Sequence, residues 1–163
     1  MIGGRDLRAG GSWLAARPGG RFAAITNVRG VGREGGPSRG LLVADFVRGD
    51  ATPLEYARSI RGDEYAGFHL LAGDGQIIQI SNSGVIGPID PLFAISNAPL
   101  GTHWPKVDLA RDFLREAIDR HDSADALADD LLRFLSTARG TAIEGEVFVT
   151  SPMYGTHGNV TKC

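Results

Sequence analysis

Side chains able to bind or polarise an anion concentrate in two stretches, SNAPLGTHWPK at residues 96–106 and GGRDLRAGGSW at 3–13. In the first, Asn97 closes an apolar run, so its amide can be held rigidly and offer N–H donors. Pro105 starts a helical pattern whose free N–H groups and dipole point back toward the loop. Together they suit an oxyanion or carboxylate, with Trp104 as an apolar wall and His103 or Lys106 at the mouth. Spacing alone equally allows Asn97 to be a turn residue and Trp104 a core plug. The second stretch opens a segment, residues 1–39, that holds seven arginines against Asp6 and Glu34, a net +5 that leaves −7 for the rest. Guanidinium is a planar bidentate donor for carboxylate or phosphate; a solvated Arg-rich surface accounts for the segment as well.

Other chemistries find less support. Gly30-Val-Gly-Arg-Glu-Gly35 matches G-x-G-x-x-G, but that fingerprint works where the glycines leave a parallel strand and open a helix. Here the neighbours read as a hairpin and Pro37 follows. His69, His103, His121 and His157 are too scattered for a metal pair, and His69 sits in an apolar strand, where a core role is usual. No G-x-S-x-G elbow is present. Asp119, Asp122, Asp125, Asp129 and Asp130 gather at a helix junction without the spacing of a cation loop. Cys163 is the only cysteine, so no internal disulfide, redox pair or Cys-rich metal motif is available. No metal or cofactor is expected to be required.

The elements that must position these groups follow from periodicity. Residues 12–17 and 21–27 are short apolar segments joined by PGG, a hairpin, and the Gly-rich run 28–37 reads as a loop. Ser38 can cap the run RGLLVADFV, which reads as a helix. Thr52, Pro53 and Glu55 have the spacing of a capping box with proline at the first helical position, predicting a helix through residue 61. Three strands are expected at 68–72, 76–82 and 92–97, the first two joined by a GDG turn and antiparallel. Val107, Ala110, Phe113, Leu114, Ala117 and Ile118 predict an amphipathic helix over 105–120, and Leu127, Leu131, Leu132 and Leu135 another over 123–138. EVFVT at 146–150 is a last strand. The order is that of one layered α+β domain.

Hydrophobic residues make up 42% of 163 and charged residues 22%, with a net charge of −2, the profile of a globular chain. The acidic balance argues against nucleic acid. No apolar run approaches the ~20 residues of a membrane span, and the opening has no hydrophobic core of the kind a signal peptide needs. The expected location is cytoplasmic.

At GGRDLRAGGSWL (3–14), RFAAITNVR (21–29), SRGLLVADFVRGD (38–50), YAGFHLLAGDG (65–75), ISNAPLGTHWPKV (95–107) and VFVTSPMYGT (147–156) the chain resembles the NRDE family, which is related to Transport and Golgi organization protein 2. The motifs keep the family's order over almost the whole chain. The resemblance implies an N-terminal nucleophile hydrolase-like fold, a four-layer αββα sandwich of two antiparallel sheets between helices. In such enzymes an N-terminal Cys, Ser or Thr attacks an amide carbonyl with its own amine as base. Asn97-Ala98-Pro99 is similar to an oxyanion donor of the penicillin-acylase and bile-salt-hydrolase relatives, so Asn97 is the candidate catalytic group if chemistry occurs.

Family members open with Met-Cys, a first strand and an Asn-Arg-Asp-Glu motif upstream of GGRDL, whereas this chain opens Met1-Ile2-Gly3. The expectation is a domain without that nucleophile and N-terminal strand region. It would bind a small amphipathic anionic ligand, of haem or acyl-lipid/acyl-CoA type, through Arg5, Asp6, Trp13, Asn27, Arg39, Asn97, His103, Trp104 and Lys106. The alternative is an amidohydrolase acting on a non-peptide, linear amide C–N bond, with its nucleophile upstream of the given start. A missing central strand further predicts marginal stability and self-association through an open sheet edge.

Overall fold

Small and apolar residues on either side of PGG close the hairpin expected there: β2 (Leu14–Ala16) runs antiparallel to β3 (Phe22–Gly32), with Leu14 opposite Ala24 and Ala16 opposite Phe22. The computed structural model describes residues 1–32, 35–89 and 92–137. Two compact units emerge, one of Met1–Pro91 with Asn97–Gly101 and one of Leu92–Ser96 with Thr102–Cys163.

The first unit is built on a six-stranded antiparallel sheet whose strands lie in chain order. β1 (Ile2–Gly3) pairs with β2, β3 with β4 (Ala66–Asp74), β4 with β5 (Gln76–Ser81), and β5 with β6 (Gly84–Pro88). GDG turns β4 into β5 through Gly75 at φ 74°, a left-handed conformation that glycine adopts at little cost. β3 runs five residues beyond its expected end. There a bulge between Asn27 and Gly32 folds its backbone over Gly67, where a methyl would clash with the Val28 and Val31 carbonyl oxygens. β6 was not expected: GVIGP lacks alternation and carries a proline. It forms because the exposed edge of β5 offers it a ladder.

One face of the sheet carries the core. α1 (Arg39–Arg48) and α2 (Pro53–Ser59) cover it, and Leu42, Val43, Phe46, Val47 and Ala57 pack with Ala23, Ile25, Phe68, Leu70, Ala72, Ile78 and Ile80. Each large aliphatic or aromatic side chain so buried contributes ~1.5–3 kcal/mol. The capping box forms as its spacing predicts, with Thr52 Oγ1 accepting from Glu55 N and Thr52 N donating to Glu55. Arg21, only 2% exposed, ties the layers together. Its guanidinium lies 3.7 Å above the Phe46 ring and donates to the Phe46 and Ala51 carbonyls and to Asp74.

The second unit contains α3 (Pro105–Arg120) and α4 (Ala124–Ser136), close to their predicted bounds. Ser123 caps α4 by accepting from Ala126 N. Phe113 and Phe134 stack at 4.0 Å, and Asp130 pairs with both Arg120 and His121.

The strand expected at 92–97 does not form. A strand exists only where a neighbour takes up its N–H and C=O groups, and this segment joins no ladder of the described residues. The strand expected at 146–150 lies outside the described residues.

Candidate functional site

Antiparallel register places directly opposed residues on the same face, so the sheet surface away from α1 and α2 can be read row by row. At one end Ala16, Phe22, Gly73 and Ile77 face each other across β2 to β5. Next come Leu14, Ala24, Leu71 and Gln79, and then Thr26, His69 and Ser81. The face therefore changes along the strands from apolar to polar. It also changes in exposure: Leu14 is 59% exposed, whereas His69, Gln79 and Ser81 are all buried.

His69 is the centre of the polar end. Its Nε2 lies 2.9 Å from the Ala98 carbonyl oxygen. A carbonyl can only accept, so Nε2 carries the hydrogen. In the neutral ring the lone pair is then on Nδ1, which is buried and has no hydrogen-bond partner among the described residues. Gln79, diagonal to it on the adjacent strand, has its Nε2 in the same condition. Ser81, directly across from His69, shares a 2.7 Å hydrogen bond with Ser83. The β4 register here is fixed from the side by Asn82, whose Oδ1 accepts from Phe68 N while its Nδ2 donates to the Gly62 and Tyr65 carbonyls. On β6 the residues opposite Ser81 and Gln79 are Gly84 and Gly87. A methyl added at either would meet no atom within 4 Å among the described residues.

Such a cluster can donate from an amide, from two hydroxyls and, once Nδ1 is protonated, from the imidazolium. It can accept at Nδ1 when the ring is neutral. It presents no set of groups suited to a metal: among the described residues no cluster of three or more His, Cys, Asp or Glu side chains is found.

The residues singled out from the sequence fall into separate groups. Asp6 staples its own loop: its carboxylate accepts from the N–H groups of Arg8 and Ala9, both at 2.9 Å. Those bonds, Ala9 foremost, hold its carboxyl below the ordinary aspartate range, and the Trp13 indole adds to the effect. Arg5 is exposed, and Trp13 is 43% exposed with its carbonyl accepting from Ile25 N. Gly11 packs against Gly40, which brings this loop to the start of α1. Arg39, at that helix start, donates to the Gly67 carbonyl at 2.8 Å, and burial pulls its guanidinium below its ordinary value. Asn27 opposes Phe68 on the helix-covered side, with its Oδ1 buried and unpartnered among the described residues. Asn97 is half-buried and precedes Ala98, whose carbonyl meets His69. In the second unit His103 reaches Asp108 at 3.3 Å, and the Lys106 ammonium lies 4.3 Å from the Trp104 ring.

Thr26, Gln79 and Ser81 were not singled out from the sequence, and His69 was read as a core residue. The signal for them was present. A turn at GDG opposes 69 to 81 and 71 to 79, and alternation from Phe68 puts His69 on the face away from Phe68, Leu70 and Ala72.

The model of a family described as Transport and Golgi organisation 2 matches residues 1–158 of the chain. The chain belongs to that family. The Transport and Golgi organization protein 2 homolog of Bos taurus is 32% identical to it over 153 residues, spanning 83% of this chain and 55% of that protein. The Homo sapiens homolog is 32% identical over 147 residues, spanning 81% and 52%, and the Mus musculus homolog 29% over 153 residues. The chain thus spans about half the length of the curated relatives it matches. No helix of the described residues is long and apolar enough to cross a membrane.

Proposed function

We propose that this Transport and Golgi organisation 2 domain binds a small amphipathic anionic ligand, of haem or acyl-CoA type, along the graded face of its sheet, without catalysing a reaction in this form. The apolar part of the ligand lies along Leu14, Phe22, Leu71 and Ile77, and its polar end meets His69, Gln79, Ser81 and Thr26. The observation that carries the reading is the pair of buried, unpartnered atoms, His69 Nδ1 and Gln79 Nε2, at the polar end of an otherwise apolar face. Each such atom costs ~1–3 kcal/mol while unsatisfied, a cost that a ligand oxygen would offset. Asn97, beside the Ala98 carbonyl, supplies a further amide donor in this reading.

We also take the six-stranded sheet as one of the two sheets of an αββα sandwich. α1 and α2 cover one face, as an outer helix layer does, and the polar row lies on the face where that architecture places its ligand. Titration of the 163-residue chain with haem, followed by the Soret band, and with acyl-CoA, followed by calorimetry, tests the binding. A saturable response to at least one at micromolar concentration is expected. No saturable response to either overturns the reading.

A further inference from the structure

Asp74 is the one aspartate or asparagine of the chain that is followed by glycine. Every other such residue precedes one with a Cβ, which crowds the backbone nitrogen beside it; Gly75 has none. A nitrogen free of that crowding can close on the carboxyl of the residue before it. The β4–β5 turn leaves this link open to water: Asp74 and Gly75 are both exposed, and a methyl built on Gly75 meets no atom within 4 Å among the described residues. Asn82 and Asp122, which precede the small Ser83 and Ser123, come next by sequence. Asn82 is held on both ends of its amide: Oδ1 accepts from Phe68 N at 2.7 Å, and Nδ2 donates to the Gly62 and Tyr65 carbonyls at 2.8 and 2.9 Å. Asp74 has a single side-chain tether among the described residues. Its Oδ2 accepts from Arg21 Nη1 at 2.8 Å, and Arg21 is itself buried and pinned by the Phe46 and Ala51 carbonyls. Ring closure also needs Asp74 Cβ and Gly75 N eclipsed about the Cα–C bond, an arrangement that extended backbone does not have. β4 runs through Asp74, with Gln76 opposite, so both the tether and the strand must yield before the ring can form.

From this we infer that the Asp74–Gly75 link is a modification site, closing to a cyclic imide and reopening as isoaspartate, and that Arg21 is the positioning residue that restrains it in the folded chain. In the closing step Gly75 N bonds to Asp74 Cγ and the bond from Cγ to one carboxyl oxygen breaks. That oxygen leaves as water, taking the Gly75 N–H proton and the proton of the carboxylic acid, which solvent supplies to the carboxylate. In the opening step one water adds at either carbonyl of the ring. Addition at Cγ restores aspartate. Addition at the main-chain carbonyl leaves the chain running through Cβ and Cγ, one carbon longer, with the former main-chain carbonyl as the free carboxylate. The net change is an isomerisation without oxidant or reductant. It lengthens the main chain at the turn just beyond the Gly73–Ile77 pair and takes the carboxylate from the position that meets Arg21.

The full chain and its Arg21→Met, Gly67→Ala and Gly75→Ala variants, incubated at neutral pH in heavy-oxygen water, test this. Digestion with a protease that cuts before aspartate but not before isoaspartate, read by mass spectrometry, locates each conversion and the oxygen it took up. In urea, where the fold plays no part, the parent should convert at residue 74 ahead of every other site, and Gly75→Ala should be slowed there. Folded, the parent should convert more slowly than in urea, and Arg21→Met about fivefold faster than the folded parent, the largest factor expected of an ion pair with one solvated member. Gly67→Ala loses stability but keeps the Arg21–Asp74 pair, so its rate should track the parent's. Salt at about 1 M, which shortens the screening length to about 3 Å, should speed conversion in the folded parent, a readout that does not depend on how well Arg21→Met folds. Conversion in urea that is absent at residue 74, or faster elsewhere, overturns the site. A folded parent that converts as fast as in urea, equal acceleration in Gly67→Ala and Arg21→Met, or a parent rate unmoved by salt overturns the role of Arg21.

Discussion

Replacing Arg21 by methionine should destabilise the sheet unit by about 3–5 kcal/mol. The guanidinium is 2% exposed and makes hydrogen bonds of 2.9 Å to the Phe46 carbonyl, 2.7 Å to the Ala51 carbonyl and 2.8 Å to Asp74. Methionine fills much of the stem's volume but leaves both carbonyls without a donor, at ~1–3 kcal/mol each, and the stacking over Phe46 loses its charge. Asp74 contributes less, because its side chain is 41% exposed and water can replace its partner. Asp74→Asn should therefore cost under about 1 kcal/mol, as expected for a pair with one solvated member. For a chain of this size a loss of 3–5 kcal/mol lowers Tm by roughly 6–20 °C. Urea unfolding followed by circular dichroism gives both values. An Arg21→Met chain within 1 kcal/mol of the parent would refute the reasoning, and so would Asp74→Asn costing as much as Arg21→Met.

The remaining expectations are local. Gly67→Ala should lower stability by several kcal/mol, because its methyl enters the space of the Val28 and Val31 carbonyls, whereas Gly75→Ala, with nothing within 4 Å but φ at 74°, should cost only about 1 kcal/mol; a reversed order in urea midpoints contradicts the bulge packing. Thr52→Ala should cost about 1 kcal/mol through loss of the cap on α2, read from the same curves. The carboxyls of Asp6 and Glu55 are held below their ordinary values of 3.8 and 4.5, Asp6 by the N–H groups of Ala9 and Arg8 and Glu55 by the Thr52 side chain and backbone. The stability they give is present above those unfolded values and lost as pH falls through the folded ones. Tm should thus drop as pH is lowered from 5.5 to 3, and Glu55→Gln should flatten the drop. Phe134→Ala, which removes the 4.0 Å stack with Phe113 from a buried position, should cost about 3–5 kcal/mol and reduce helical ellipticity at 222 nm.

Local signals were the legible ones. The helices at 39–48, 53–59, 105–120 and 124–136 follow from apolar spacing, with side-chain caps at Thr52 and Ser123, whereas Ser38, expected to cap the first, makes no side-chain cap hydrogen bond; both long hairpins follow from PGG and GDG. The segment at 92–97 shows the limit: LFAIS is apolar enough for a strand, but it joins no ladder of the described residues, and composition does not say which segments will pair in a sheet. β6 is the converse, a poor strand sequence recruited by a neighbouring edge. The polar row was the least visible feature, since Thr26, His69 and Ser81 are far apart in sequence and meet only through cross-strand register. Asp6 and Arg39 were chosen for their chemistry, yet the first binds its own loop and the second a backbone carbonyl. Residue type alone cannot reveal such prior commitments.

The graded face of the sheet is the proposed ligand surface. Backbone and side-chain NMR shifts of the labelled 163-residue chain, titrated with acyl-CoA, test it most directly. Saturable shifts centred on Thr26, His69, Leu71, Gln79 and Ser81 are expected, with the His69 ring carbons moving in step with occupancy. Shifts confined to the 3–13 loop and the start of α1, or to α3 and α4, with the His69 ring unmoved at saturation, would contradict it.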